Sequence, residues 1–288
     1  MKIVIYGQAK SGTTTLNFRV KEAMEAQPGV GKVANIFEAI AREPDGDGFR
    51  YRMKSGSQIR EKQDTLVKTL LPSGKDLGVK AEAALETFSD FDRKIYIQRD
   101  PRDRWVSGFF YKWFHGHNPD ADAFARALRL TQHKEKHPND LPFYALLTTD
   151  PDLVARWIEK EHARCEHVLS FVNDARAAGW HILRYEDLVD DKVSALNAYL
   201  GFEISATRDV GAEFKRVARS LGYGDWRRWF TSDDVPVFRA MYSDLLEGLG
   251  YDIEDWALDD VTSLPSDQGS GYMAKLFKGD KKRGLSGK

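Results

Sequence analysis

The chain has 288 residues, long enough for one large α/β domain or two small ones with a real core. Apolar residues make up 42% and charged residues 30%, an ordinary balance for a globular protein, and a formal net charge of −1 excludes a global basic field that would recruit nucleic acid or anionic membrane. Cys165 is the single cysteine, which excludes an intrachain disulfide and a cysteine-rich zinc site.

In chain order, Lys2–Tyr6 reads as a short buried strand and "TTTLNFRVKEAMEA" as the helix that follows its loop. A strand starting at Lys2 leaves no room for a signal peptide, and no apolar run approaches transmembrane length, so the expectation is a cytoplasmic protein with no transmembrane segment. "NIFEAI" (35–40) contains a short apolar segment that fits a second strand, and "EPDGDGFRYRMKSGSQ" (43–58) is polar and glycine-rich, expected to be a long surface loop or lid. "DTLVKTLLP" (64–72) and "RKIYIQRDP" (93–101) read as strands ended by turn chemistry at a proline. Residues 151–178 place Leu153, Val154, Trp157, Ile158, Cys165, Val168, Leu169 and Val172 at helical spacing, and "WHILRYEDL" (180–188) reads as a further strand. Strands separated by helices imply parallel pairing with crossover helices, hence a single three-layer α/β/α domain with a central, mostly parallel sheet over residues 1–260. After Asp260 the pattern dissolves, and 261–288 is expected to be a mobile polar and basic tail.

Two stretches carry chemistry. In "YGQAKSGTTT" (6–15), Gly7 and Gly12 hold the glycine spacing of a phosphate-binding P-loop between a strand and a helix, where backbone N–H groups and the helix dipole face an anion. Ser11, Thr13, Thr14 and Thr15 add hydroxyls, but Thr13 stands where a nucleotide triphosphatase needs lysine, and Lys10 lies inside the loop instead. In "IYIQRDPRDRWVSGFF" (95–110), Arg99 ends a strand, Asp100-Pro101 opens a helix, and Ser107 follows two turns in. A strand's carboxyl end faces the crevice where open α/β sheets bind ligands.

These two stretches resemble the 5′-phosphosulfate loop and the 3′-phosphate motif of the sulfotransferases that use 3′-phosphoadenosine-5′-phosphosulfate, PAPS. "LRYEDLVDD" (183–191) and "GDWRRWFTSDDVPVFRAMYSDLLEGLGYD" (224–252) resemble two further motifs of that family, in its order. The resemblance is to bacterial members of the carbohydrate or small-molecule type. It implies PAPS as co-substrate, no metal, and transfer of a sulfuryl group to an acceptor hydroxyl or amine, with a sugar or glycolipid as first expectation. It places Lys10 on the phosphosulfate, with Ser11, Gly12, Thr13, Thr14 and Thr15 in a P-loop-like phosphosulfate-binding loop; Thr15 replaces the family's adenine-stacking tryptophan. It assigns Arg99, Ser107 and, by a partial match, Arg219 to the 3′-phosphate, and Tyr185 to the adenine.

The acceptor side departs from the family's cytosolic small-molecule branch. "KTLLP" keeps Lys68 for the sulfuryl oxygens but has Leu70 where that branch has its histidine base. Glu38 matches the glutamate base of carbohydrate-type and several bacterial members, with a solvent-facing helix residue as the plain alternative. His115 and His117 in "WFHGHNPD" are competing bases, and Lys80 competes with Lys68. Two rival readings are a P-loop kinase or NTPase and a non-catalytic nucleotide-binding protein of the same fold. The oligomeric state is not legible.

Overall fold

The computed structural model describes residues 1–71, 83–205, 219 and 222–279. Lys80 and residues 280–288 of the expected tail lie outside them. The chain divides into two compact units, Met1–Arg99 with Arg164–Gly211, and Asp100–Ala163 with Ala212–Lys288, so the division falls inside the expected 1–260 domain.

The first unit is built on a five-stranded sheet. Its strands are β1 (Lys2–Gly7), β2 (Ala34–Phe37), β6 (Thr65–Leu70), β7 (Arg93–Gln98) and β8 (His181–Arg184). They lie in the order β2-β6-β1-β7-β8, and every neighbouring pair is parallel. Alternation along β1 decides the layers, because successive side chains leave opposite faces of a strand. Ile3 and Ile5 join a core with Leu16 and Val20 of α1 (Thr13–Glu25), Leu188 of α5 (Tyr185–Val189), and Leu196 and Leu200 of α6 (Ser194–Leu200). On the other face Tyr6 packs its ring 5.1 Å from that of Phe171, in the part of α4 (Pro151–Ala177) that belongs to this unit, and Tyr96 lies 5.3 Å from the same ring. The central sheet is thus covered on both faces, as the near-continuous apolar run of β1 requires. Burying each such Ile or Leu contributes about 1.5–3 kcal/mol.

The segment 43–58, expected to be a loop or lid, is instead most of a three-stranded antiparallel meander: β3 (Ala41–Asp45), β4 (Gly48–Arg52) and β5 (Gln58–Arg60). Asp45 pairs with Gly48 across a two-residue Gly46-Asp47 turn, with Gly46 at φ 64°, a left-handed conformation that glycine adopts without a Cβ clash. The Gly-Asp turn signal was there; polarity masked the alternation of Phe49 and Tyr51. One edge is anchored by ions. Arg42 pairs with Glu61 and Asp90, Lys2 with the same two carboxylates, and the Tyr51 hydroxyl donates to Glu61.

The second unit contains α2 (Pro101–Tyr111), α3 (Ala121–Lys136), α7 (Trp226–Trp229), α8 (Asp234–Gly248) and α9 (Ser270–Lys278). Asp100 caps α2 by accepting from the Arg102 amide, with Pro101 at the first helical position. Its core is aromatic: Phe110 lies 4.8 Å from Trp229, and Phe230 stacks on Phe238 at 4.2 Å. The expected tail is packed over part of its length. The Glu135 carboxylate accepts from the amide and hydroxyl of Ser270, while Tyr272, Met273 and Leu276 are buried and Phe277 stacks on Phe124. The amphipathic spacing in "SGYMAKLFK" was short enough to be missed beneath the polar composition around it. No helix among the described residues is long and apolar enough to cross a membrane.

Candidate functional site

Parallel strands all present their carboxyl ends to one edge of a sheet, and in the first unit every one of those ends carries a nominated residue. Gly7 ends β1 and opens the glycine loop, and Glu38 follows β2. Lys68 lies near the end of β6, Arg99 follows β7, and Tyr185 follows β8. Strand order places β1 in the middle, with connections leaving to both sides, which is the arrangement that opens a ligand crevice at a parallel sheet's carboxyl edge.

The loop is held tightly. A Cβ on Gly7 would lie 2.6 Å from the Ile97 carbonyl oxygen, so only glycine lets β1 pass β7 there. Ser11 N–H donates to the Gln8 carbonyl at 3.2 Å, and Leu16 N–H to that of Gly12 at 3.1 Å, starting α1 directly after the turn. Lys10 has φ 70° and Gly12 φ 84°, so the loop passes twice through the left-handed region. For Lys10 that conformation is strained, and strain of this kind gathers where a backbone is shaped for a ligand. Ser11 is fully buried, and its Oγ has no hydrogen-bond partner among the described residues. Buried hydroxyls are rarely left so, and an anion seated in the loop would satisfy this one.

Glu38 and Lys68 come together. Glu38 sits one residue beyond β2, not on a helix, with φ 58°. Its amide donates to the Lys68 carbonyl at 2.8 Å, and Lys68 Nζ donates to its Oε1. Lys68 is 2% exposed, and its ammonium lies 4.3 Å from the centre of the Phe37 ring. Burial lowers the Lys68 pKa from its ordinary value, opposed by the Glu38 carboxylate. An isolated ammonium in that position would be costly, so the carboxylate is its electrostatic counterpart.

Arg99 is buried. Its Nη1 donates to the Lys10 carbonyl at 3.2 Å, and its guanidinium lies 4.4 Å over the Tyr185 ring. That same ring fills the space a Cβ on Gly12 would need, 2.3 Å from Tyr185 Cδ2. Tyr185, expected at an adenine, packs its ring against both the loop and the arginine. Thr13 is buried and Thr14 and Thr15 are half-buried in the first turn of α1.

The other nominated residues belong to the second unit. Ser107 is buried on α2. Arg219 pairs with Asp225 at 2.5 Å, and its Nε and Nη1 have no hydrogen-bond partner among the described residues. Asp103 accepts from the backbone amides of Gly224 and Trp226. His115 and His117 are exposed, and His115 Nδ1 lies 3.1 Å from the Leu276 carbonyl at the end of α9, a structural contact. Among the described residues no group of three or more His, Cys, Asp and Glu is arranged to hold a metal ion.

Two participants were missed in the sequence. Phe37 supplies the ring beside the Lys68 ammonium, and Lys54, in the turn between β4 and β5, is close enough to lower the Lys68 pKa by charge repulsion. Phe37 was legible as an apolar strand residue only. Lys54 had no signal at all inside a stretch taken for a loop.

No protein-family model and no curated protein matches the chain. Among solved structures, retinol dehydratase in complex with androsterone and inactive cofactor PAP aligns at a TM-score of 0.45 with 15% identity, covering 85% of this chain and 80% of that chain. At that distance the likeness assigns neither a family nor an activity.

Proposed function

We propose that the chain transfers a sulfuryl group from 3′-phosphoadenosine-5′-phosphosulfate to an acceptor hydroxyl or amine. The observation that carries this reading is the convergence at one sheet edge of a glycine loop with Lys10 inside it, a buried arginine, and a lysine–glutamate pair. An anion-binding loop with no lysine opening its helix fits a donor whose transferred group needs no triphosphate clamp. The unsatisfied Ser11 hydroxyl fits the same anion.

In this reading the donor supplies an activated sulfuryl group on a phosphate leaving group. The loop amides and Ser11 hold that phosphate, and Lys10 offsets the charge that gathers on it as the sulfur–oxygen bond breaks. Lys68 Nζ faces the sulfuryl oxygens. Glu38, oriented by Lys68 through Oε1, takes the acceptor's proton on Oε2 as the new oxygen–sulfur bond forms. Tyr185 holds Arg99, and we assign Arg99, Ser107 and Arg219 to the 3′-phosphate. We retain the contact between Tyr185 and the adenine as part of this proposal.

Calorimetry with EDTA present tests the nucleotide assignment. Adenosine 3′,5′-bisphosphate binds about tenfold or more tightly than AMP, because charge-assisted hydrogen bonds to the 3′-phosphate contribute about 1.5–3 kcal/mol each. Equal affinity for the two nucleotides would remove Arg99, Ser107 and Arg219 from the site.

A further inference from the structure

The turn between β4 and β5 is tied to the segment that carries Glu38. Ile40, two residues past Glu38, donates its amide to the Arg52 carbonyl at 2.8 Å. The antiparallel register, with Ala41 opposite Arg52, therefore runs toward Glu38 along one strand and toward Lys54 along the other. Past Arg52 the chain reverses: Met53 N–H donates to the Ser57 carbonyl and Gly56 N–H to the Met53 carbonyl, each at 2.9 Å. Lys54 is exposed at the start of that reversal.

Charge pairing singles Lys54 out. Every arginine of the meander has a carboxylate partner: Arg42 with Glu61 and Asp90, Arg50 with Asp45, Arg52 with Glu43, and Arg60 with Asp47. Lys54 has no hydrogen bond or ion pair among the described residues. Lys68 and Glu38 neutralise one another, so Lys54 adds a positive charge that this pair does not balance. Its nearness registers at Lys68, whose pKa burial lowers and repulsion from Lys54 lowers further, against the pull of the Glu38 carboxylate. The Lys68 side chain is buried, whereas 33% of the Glu38 side chain is exposed, so Glu38 is the member of the pair open to solvent. An unpaired lysine on a surface is ordinary by itself. This one stands beside the carboxylate that an incoming hydroxyl has to reach.

We propose that Lys54 selects the acceptor, and that the acceptor carries an anionic group on the same molecule as the reacting hydroxyl. The inference rests on the sulfuryl-transfer reading and deepens it by naming a charge class for the acceptor. The anionic group pairs with the Lys54 ammonium while the hydroxyl faces Glu38. Without that pairing an anionic molecule would bring its charge up to the Glu38 carboxylate, and like charges in close juxtaposition oppose binding. Lysine suits the task whether the group is a carboxylate, a sulfate or a phosphate, because its compact charge on a flexible stem imposes no planar geometry.

The test uses the full chain saturated with adenosine 3′,5′-bisphosphate and two matched pairs of probes, titrated by calorimetry. The pairs are 4-hydroxybenzoate against 4-hydroxybenzamide, and methyl β-D-glucuronide against methyl β-D-glucoside. In at least one pair the acid binds about fivefold more tightly than its neutral partner, the scale of a solvent-exposed ion pair. The preference shrinks as salt rises from about 0.05 to about 0.5 M, because screening shortens the reach of an exposed charge. Lys54→Ala removes the preference by weakening the acid and not the neutral probe, Lys54→Arg retains it, and Lys54→Glu reverses it. With nucleotide bound, equal affinity within both pairs, binding of no probe at all, or a preference that survives Lys54→Ala overturns the assignment of Lys54 and leaves the transfer reading standing. Absence of adenosine 3′,5′-bisphosphate binding by the wild type overturns the transfer reading beneath it.

Discussion

Glu38 concentrates the chemistry of the account in one side chain. A non-glycine residue at φ 58°, with its amide tied to the Lys68 carbonyl and its carboxylate to the Lys68 ammonium, is held by both backbone and side chain. General bases contribute about 10²–10⁴-fold, so Glu38→Gln, which keeps size and hydrogen bonding but removes basicity, lowers single-turnover transfer by that factor. Nucleotide affinity measured on the same variant stays at the wild-type value. If Glu38→Gln transfers normally and His115→Ala or His117→Ala abolishes transfer, the base is a histidine. The identities of Glu38 and Lys68 were readable from motif position, but their pairing was not. They are far apart in sequence, and only the β2–β6 register, with Phe37 opposite Lys68, brings them side by side. Tyr185 shows the converse. Its place near the end of a strand was legible from the motif, although β8 stops at Arg184, short of the expected 188, and Tyr185 opens α5; its burial against Gly12 depends on a loop conformation that no local pattern encodes.

At the scale of elements, the five parallel strands were legible because each is a short apolar run bounded by turn residues. The meander was not, because its strands are half-exposed and ion-paired, and charged side chains hide alternation. Those ion pairs make its anchoring sensitive to acid. Hydrogen bonding from Arg42, the largest influence, lowers the Asp90 pKa from 3.8 to about 2. A carboxylate with a depressed folded-state pKa contributes stability that is present above its unfolded value and lost as pH falls through its folded value. Thermal melts of the wild type therefore lose a component between pH 3.8 and about 2. Asp90→Asn melts lower at neutral pH and show a shallower slope across that interval. An identical acid slope in the two proteins would show that Asp90 does not anchor the meander.

At the scale of the whole molecule, the alternation of strands and helices led to the right architectural class. The near-neutral charge also meant that any polyanion had to be held by a local cluster, and the proposed reading assigns that task at the carboxyl edge of the first unit to Lys10, Lys68 and Arg99. The division into two units was not legible, because no linker or composition shift marks Asp100, where β7 hands over to a capped helix. The docking of α9 was hidden for the same reason: a short amphipathic helix inside a polar stretch carries little periodic signal. What the sequence pattern does carry is the lysine displaced into the glycine loop, and on the proposed reading that displacement favours sulfuryl transfer over nucleoside triphosphate hydrolysis. The most direct measurement is turnover of the intact chain with PAPS and a panel of phenol, alcohol and sugar acceptors, in EDTA, following nucleotide and acceptor by mass spectrometry. The expected result is adenosine 3′,5′-bisphosphate released in step with a sulfated acceptor, at a rate that Lys10→Ala reduces more than it weakens donor binding. Untouched PAPS together with magnesium-dependent hydrolysis of ATP would contradict it.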